Sequence, residues 1–180
     1  MKKANSKKQK RAKSVEEYKL ELKNRLNARQ QYLKESYDEI RKKYSLPEFE
    51  KLDEEFDIRI IWEDVSIRNI RRCILDKLES SLGIISPPIT GHGTLHAYIE
   101  SKILSKAELE SLFELYKKLE VLIHEGLLVR LRSEKDEAEF VKKVWAQWPK
   151  LKSELQEFLK KFAEAWEKTK EEDVQEKYFQ

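Results

Sequence analysis

One stretch near the middle of the chain, residues 105–132, most constrains the fold. It reads SKAELESLFELYKKLEVLIHEGLLVRLR, and its apolar residues recur every three or four positions, the period of one helix face. Ser105 and Glu108 have the spacing of a capping box, in which each side chain bonds the other residue's backbone N–H. Gly126 is expected to end this helix, because glycine adopts the left-handed conformation without a steric penalty. The stretch therefore predicts a long amphipathic helix that the other segments cover.

The same period recurs along most of the chain, so the sequence predicts an all-α protein. Only four glycines and four prolines occur in 180 residues, which suits long helices. Further helices are expected over residues 14–44, 46–56, 63–82, 94–104 and 133–172. We expect them to form an antiparallel helical bundle with a long N-terminal helix and a disordered basic N-terminal tail.

Helix ends and breaks are expected at several positions. Ser45 and Glu48 repeat the capping-box spacing. Residues 83–93, GIISPPITGHG, contain two prolines and three glycines and are expected to form an irregular loop. Pro149 is expected to kink or restart the last helix, because proline has no backbone N–H to donate.

The helix expected over residues 63–82 carries three arginines and the only cysteine. Arg68, Arg71 and Arg72 have acidic residues at three- and four-residue offsets, so we expect surface ion pairs there, with a basic stripe as the alternative. Cys73 lies in the apolar register and is expected to be packed and unreactive. A single cysteine also excludes an intrachain disulfide.

The charge of the chain is divided unevenly. Residues 1–13 contain no Asp or Glu and seven basic residues, Lys2, Lys3, Lys7, Lys8, Lys10, Arg11 and Lys13. The rest of the chain holds the other 30 Lys and Arg against 34 Asp and Glu, a net charge of −4. This predicts a mildly acidic body with a basic arm that contacts polyanion phosphates through counterion release. The alternative is a solvated terminus that only adds solubility.

The sequence predicts four units: the basic segment 1–13, a long amphipathic helix over residues 14–44, a bundle domain over residues 45–172 and a C-terminal tail over residues 173–180. A helix of residues 14–44 would be about 45 Å long, more than the diameter of a small domain. Its apolar stripe therefore predicts either a coiled-coil homodimer or packing along the chain's own bundle, and both alternatives stay open.

Several functional classes lack their motifs. No apolar run is long enough to cross a bilayer and no apolar segment follows the basic start, so a cytoplasmic protein without a signal peptide is expected. No phosphate-binding glycine loop, GxSxG or HExxH is present, and no cofactor or small-molecule substrate is indicated. His92 and His96 have the spacing of metal ligands, but His92 precedes its helix, so no metal is expected. The amino-acid usage is typical of a thermophile.

His124 is the main candidate for chemistry, and here residues 94–160 resemble a known family. They read TLHAYIESKILSKAELESLFELYKKLEVLIHEGLLVRLRSEKDEAEFVKKVWAQW and onward, with a histidine before a turn and then an acid-capped helix. This pattern, with the preceding helix from about residue 63, resembles the helical HEPN superfamily. The resemblance implies metal-independent RNA cleavage across a dimer interface by the histidine and an arginine four to six residues before it. No arginine stands there in this sequence, and Lys117 or Lys118 would take its place.

Three functions remain open from the sequence. The leading hypothesis is a non-catalytic protein that binds RNA or a ribonucleoprotein surface through its basic arm, as a homodimer. The second is a HEPN-type ribonuclease that uses His124 with Lys117 or Lys118. The third is a helical scaffold for protein–protein interaction. His124 also has a purely structural interpretation, because the negative end of the helix dipole favours the charged form of a histidine near a helix C-terminus.

Overall fold

A computed structural model describes residues 15–61, 65–91 and 95–169, and every regular element in these ranges is helical. The expected all-α fold with a long N-terminal helix is confirmed. The elements are α1 (Val15–Tyr44), α2 (Phe49–Phe56), a 3-10 helix (Ile58–Ile60), α3 (Ile67–Ile85), α4 (Pro87–Thr90), α5 (Leu95–Lys102), α6 (Lys106–Val129) and α7 (Glu134–Lys168). The basic segment 1–13, His92 and the C-terminal tail 173–180 lie outside the described residues.

Helices α3, α6 and α7 pack against one another and form the centre of the bundle. A short turn joins α6 to α7, so the two run antiparallel. The apolar stripes expected from the sequence supply much of the core, including Leu112, Leu119, Leu122, Phe140 and Trp148. The other helices cover this centre, with α5 packed on α7, α4 on α5 and α2 on α3.

Capping boxes start both long central helices. The Ser105 N–H donates to the Glu108 carboxylate at 2.7 Å, and the Glu108 N–H donates to the Ser105 hydroxyl at 3.3 Å. Ser133 and Asp136 form the same reciprocal pair at the start of α7. These bonds satisfy backbone donors that the first turn of a helix leaves unpaired. The box expected at Ser105 is confirmed.

Gly126 does not end α6, which continues to Val129. It lies inside the helix and packs against two neighbouring elements. A Cβ at this position would lie 2.5 Å from Leu75 Cδ2 and 2.7 Å from Phe140 Cζ. The glycine is therefore explained by the close approach of α3 and α7 to α6, and the expectation of a helix end was wrong.

Residues 83–93 were wrongly expected to be irregular throughout. Helix α3 continues past Gly83 to Ile85, and α4 follows directly with proline in its first turn. Proline is tolerated there because the first backbone N–H groups have no partner within the helix. Gly91 ends α4 with φ of 60°, the left-handed conformation.

Two further local expectations differ from the structure. Ser45 adopts a φ of 56° after the end of α1, and α2 starts from Glu48 without a side-chain cap. The expected box at Ser45 and Glu48 is therefore absent. Helix α7 also does not restart after Trp148, since it runs through Pro149 as one helix. Buried side chains on either side, Trp148 and Leu151, keep that part of α7 on the core.

Helix α1 has two halves with different surroundings. In its second half Leu33 and Tyr37 are buried, and the Tyr37 hydroxyl donates to the Pro47 carbonyl at 2.7 Å. Residues 15–28, the exposed half of α1, present their apolar stripe to solvent: Val15, Tyr18, Leu22 and Leu26 are 71, 62, 47 and 46% exposed. Packing along the bundle therefore accounts for the second half of the helix only.

Candidate functional site

His124 lies on the outer face of α6, five residues before the helix ends at Val129. Its side chain is 75% exposed. Nδ1 donates to the Glu120 carbonyl oxygen at 2.8 Å and is 3.4 Å from a Glu120 carboxylate oxygen. The ring is therefore oriented by one residue of its own helix, and Nε2 is the atom left to meet another molecule. The expectation that a turn follows directly after His124 was wrong, because α6 continues past Gly126 to Val129.

The two lysine candidates lie on different sides of α6. Lys117 is two turns before His124 on the same face, about 10 Å along the axis, and its Nζ is 2.9 Å from Glu114. Lys118 reaches across to α7, where its Nζ lies 2.8 Å from Glu154. Of the two, only Lys117 shares a surface with His124, and both lysines already have a carboxylate partner.

Exposed apolar side chains lie near His124 on the same face of α6. Val121 is 63% exposed, Leu128 is 48% exposed and Leu131, in the turn after α6, is 82% exposed. Sequence analysis missed this second stripe because the buried stripe of the same helix is longer. The signal was present in the spacing of residues 121, 124, 128 and 131, which is itself three and four.

A buried ionic cluster joins the three central helices. Arg71, expected on the surface, is only 4% exposed and donates to the Gly126 carbonyl oxygen at 2.9 Å. Its Nε lies 3.7 Å from the carboxylate of Glu137, which is 2% exposed, and Arg68 approaches the same carboxylate oxygen at 3.6 Å. Burial lowers the pKa of the Arg71 guanidinium, and the negative charge of Glu137 opposes that effect.

This cluster holds helices together and offers no access to a ligand. The Gly126 carbonyl lies four residues before Arg130, the residue that caps the end of α6. Arg71 satisfies it from α3, while Glu137 holds the guanidinium from α7. Arg68 is exposed as expected, but its partner is the buried Glu137 of α7 and not an acid on its own helix, and the expected surface position of Arg71 was wrong.

The other candidates have structural surroundings. Cys73 is buried, as expected, and burial raises the pKa of its thiol to about 11. His96 packs against Trp166 with ring centroids 4.7 Å apart and the rings tilted by 58°, and both side chains approach the buried carboxylate of Glu100. Across residues 15–61, 65–91 and 95–169, no group of three His, Cys, Asp or Glu side chains could hold a metal ion.

The seven basic residues expected to bind nucleic acid all lie in segment 1–13, outside the described residues. No helix in the described part of the chain is both long and apolar enough to cross a membrane. No family model, no curated protein and no solved structure matches this chain.

Proposed function

We propose that this protein binds RNA, or the RNA surface of a ribonucleoprotein, without catalysing a reaction, and that segment 1–13 makes the contact. The observation that carries the proposal is a contrast in charge between this segment and the body. Segment 1–13 has seven Lys and Arg and no carboxylate. A segment of this composition attracts any phosphate backbone and releases its counterions.

In the body, carboxylates neutralise many of the basic residues, whereas segment 1–13 contains no carboxylate. Several of them form ion pairs between elements: Lys43 with Glu134, Lys118 with Glu154, Lys143 with Glu125, and Lys152 with Glu55. A phosphate bound at these positions would have to displace a carboxylate. The body as a whole also carries an excess of acid, so it repels a polyanion at long range.

The exposed half of α1 supports this division of roles. The first buried residue of the helix is Leu33, 18 positions after Val15. At 1.5 Å per residue this places about 27 Å of helix between the basic segment and the core. A nucleic acid bound at the segment would therefore be kept away from the acidic body of the same chain.

The test measures binding of a fluorescent single-stranded RNA over a range of salt concentrations. Replacing the seven basic residues of segment 1–13 with Gln should abolish most of the affinity. The wild-type slope of log K against log salt should approach about −5, and the slope of the variant should approach zero. Unchanged affinity and slope in this variant would contradict the proposal.

A control variant with the same change in charge distinguishes an effect of segment 1–13 from an effect of the net charge of the protein. It replaces seven exposed body lysines with Gln, namely Lys42, Lys51, Lys106, Lys135, Lys150, Lys160 and Lys168. We expect it to keep most of the wild-type affinity and slope. An equal loss in both variants would show that binding follows the charge of the whole protein.

A HEPN-type ribonuclease is the second candidate, favoured by the exposure of His124 and Lys117 on one face of α6. The same RNA reports on it, since cleavage without added metal would appear as shortened product. Under this candidate His124→Ala abolishes the product and leaves thermal unfolding unchanged, because the side chain is exposed. Intact RNA after incubation with the wild type would reject it.

A further inference from the structure

The exposed half of α1 carries an apolar stripe that continues the stripe packed on the body. Leu33 and Tyr37 are buried in the second half, and Tyr18, Leu22 and Leu26 precede them at spacings of four residues, with Leu26 seven residues before Leu33. These three side chains are 62, 47 and 46% exposed. One apolar helix face therefore continues from core to solvent, interrupted by Arg29 between Leu26 and Leu33.

The exposed half of α1 lacks the packing that stabilises most helices in proteins. Residues 15–28 add about four turns to the packed half of α1. In proteins most of the stability of a helix comes from packing of its apolar face. The stripe on residues 15–26 therefore offers an apolar surface on which a second helix can pack.

We propose that the partner is a second copy of the chain, with the exposed halves of the two α1 helices packed antiparallel. In a pair related by a two-fold axis near Leu22, Tyr18 of one copy meets Leu26 of the other. Residue 15 then lies opposite Arg29, which donates to the Ile61 carbonyl at 2.9 Å and marks the start of the packed half of α1. The exposed stripe of each copy thus faces that of the other.

Charge favours this orientation. A parallel pair would bring two basic segments of charge +7 to the same end, whereas an antiparallel pair places them at opposite ends. Along one edge of the stripe, Glu21 and Arg25 form an ion pair within the helix, so these two residues bring no net charge to the interface. Lys19 and Lys23 repel along the other edge, so the apolar stripe supplies most of the stability.

The first test compares two leucines on opposite faces of the same helix. Leu22 lies in the stripe, while Leu20 lies about 200° away around the helix axis and is 60% exposed. Leu22→Glu should weaken self-association by at least about tenfold, and Leu20→Glu should leave it unchanged. Light scattering during size-exclusion chromatography, over a wide range of protein concentration, distinguishes a dimer from the 21.6 kDa monomer.

Two outcomes of this comparison would overturn the proposal. A wild type that stays monomeric at the highest concentration shows that no second copy binds. Equal weakening by both substitutions shows that the stripe is not the interface. The helical content of each variant, from circular dichroism of the dissociated protein, confirms that the comparison involves equally folded chains.

Cross-linking tests the orientation. A tagged Tyr18→Cys chain is mixed with an untagged Leu26→Cys chain and oxidised. The antiparallel pair predicts disulfides between the two different chains, whereas a parallel pair predicts Tyr18→Cys chains linked to each other. Cys73 does not compete, because it is buried and burial keeps its thiol protonated. A majority of Tyr18→Cys homodimers would overturn the antiparallel arrangement.

Discussion

Gly126 is the residue at which the packing of the central helices is tightest. In Gly126→Ala the new Cβ would meet Leu75 and the ring of Phe140, which is 2% exposed and has little room to move. Overpacking of this kind costs about 1–3 kcal/mol, against about 1 kcal/mol gained in helix propensity. We expect a net loss of about 1 kcal/mol in the free energy of unfolding, measured by urea denaturation.

Gly83 provides the control for this substitution. It also lies inside a helix, α3, but a Cβ added there meets no atom within 4 Å. Gly83→Ala should therefore stabilise the protein by about 0.5–1 kcal/mol through propensity alone. If Gly126→Ala stabilises the protein as much as Gly83→Ala does, the three helices do not approach each other closely at Gly126.

Arg71 shows why single residues are the hardest feature to predict from sequence. Its partners, Gly126 and Glu137, lie 55 and 66 positions away, whereas helical spacing offered nearer acids. Only the packing of α3 against α6 and α7 brings the three together. Gly126 illustrates the same limit, because a glycine needed for close packing and a glycine that ends a helix look alike in sequence.

At the scale of the helices, the start of α6 gives a prediction for pH dependence. Hydrogen bonds from Lys161 and Ser105 hold the pKa of the Glu108 carboxylate at about 2, below its ordinary value of 4.5. Because the folded-state pKa is the lower one, the ionised carboxylate stabilises the fold above pH 4.5. That contribution is lost as the pH falls from about 4.5 to about 2.

The measurement compares wild type and Glu108→Gln by urea denaturation at several pH values. The variant should be less stable than the wild type at neutral pH, and the difference should shrink as the pH falls through this window. Glu110→Gln, an exposed position on the same helix, should show no such trend. A difference between wild type and Glu108→Gln that stays constant down to pH 2 would contradict the assignment.

The start of α6 was more predictable than its end. The box at Ser105 depends on residues three positions apart, so the signal is local and the structure confirms it. Helix α3 passes Gly83 and α7 passes Pro149, because burial of neighbouring residues stabilises the helix beyond these local signals. The candidate site was less predictable still, since the surroundings of His124 depend on which face of α6 the other helices cover.

At the scale of the whole molecule, the two halves of α1 predict different effects of truncation. Removal of residues 1–28 deletes no buried residue of α1 and retains the bond from Arg29 to the Ile61 carbonyl. The urea midpoint of this truncation should equal that of the full chain, at concentrations low enough to dissociate any dimer. Removal of residues 1–44 also takes away Leu33 and Tyr37, and should cost at least about 5 kcal/mol or unfold the protein.

The comparison of these two truncations tests whether the buried half of α1 belongs to the folded body and the exposed half does not. Tyr37 is 0% exposed, and its ring packs on Phe49 with centroids 5.5 Å apart. Loss of this contact exposes one side of α2 and the core beneath it, so the m-value should fall together with the midpoint. If a chain of residues 45–180 unfolds like the full-length protein, α1 does not contribute to the stability of the bundle. If a chain of residues 29–180 is destabilised, the exposed half of α1 also contacts the body.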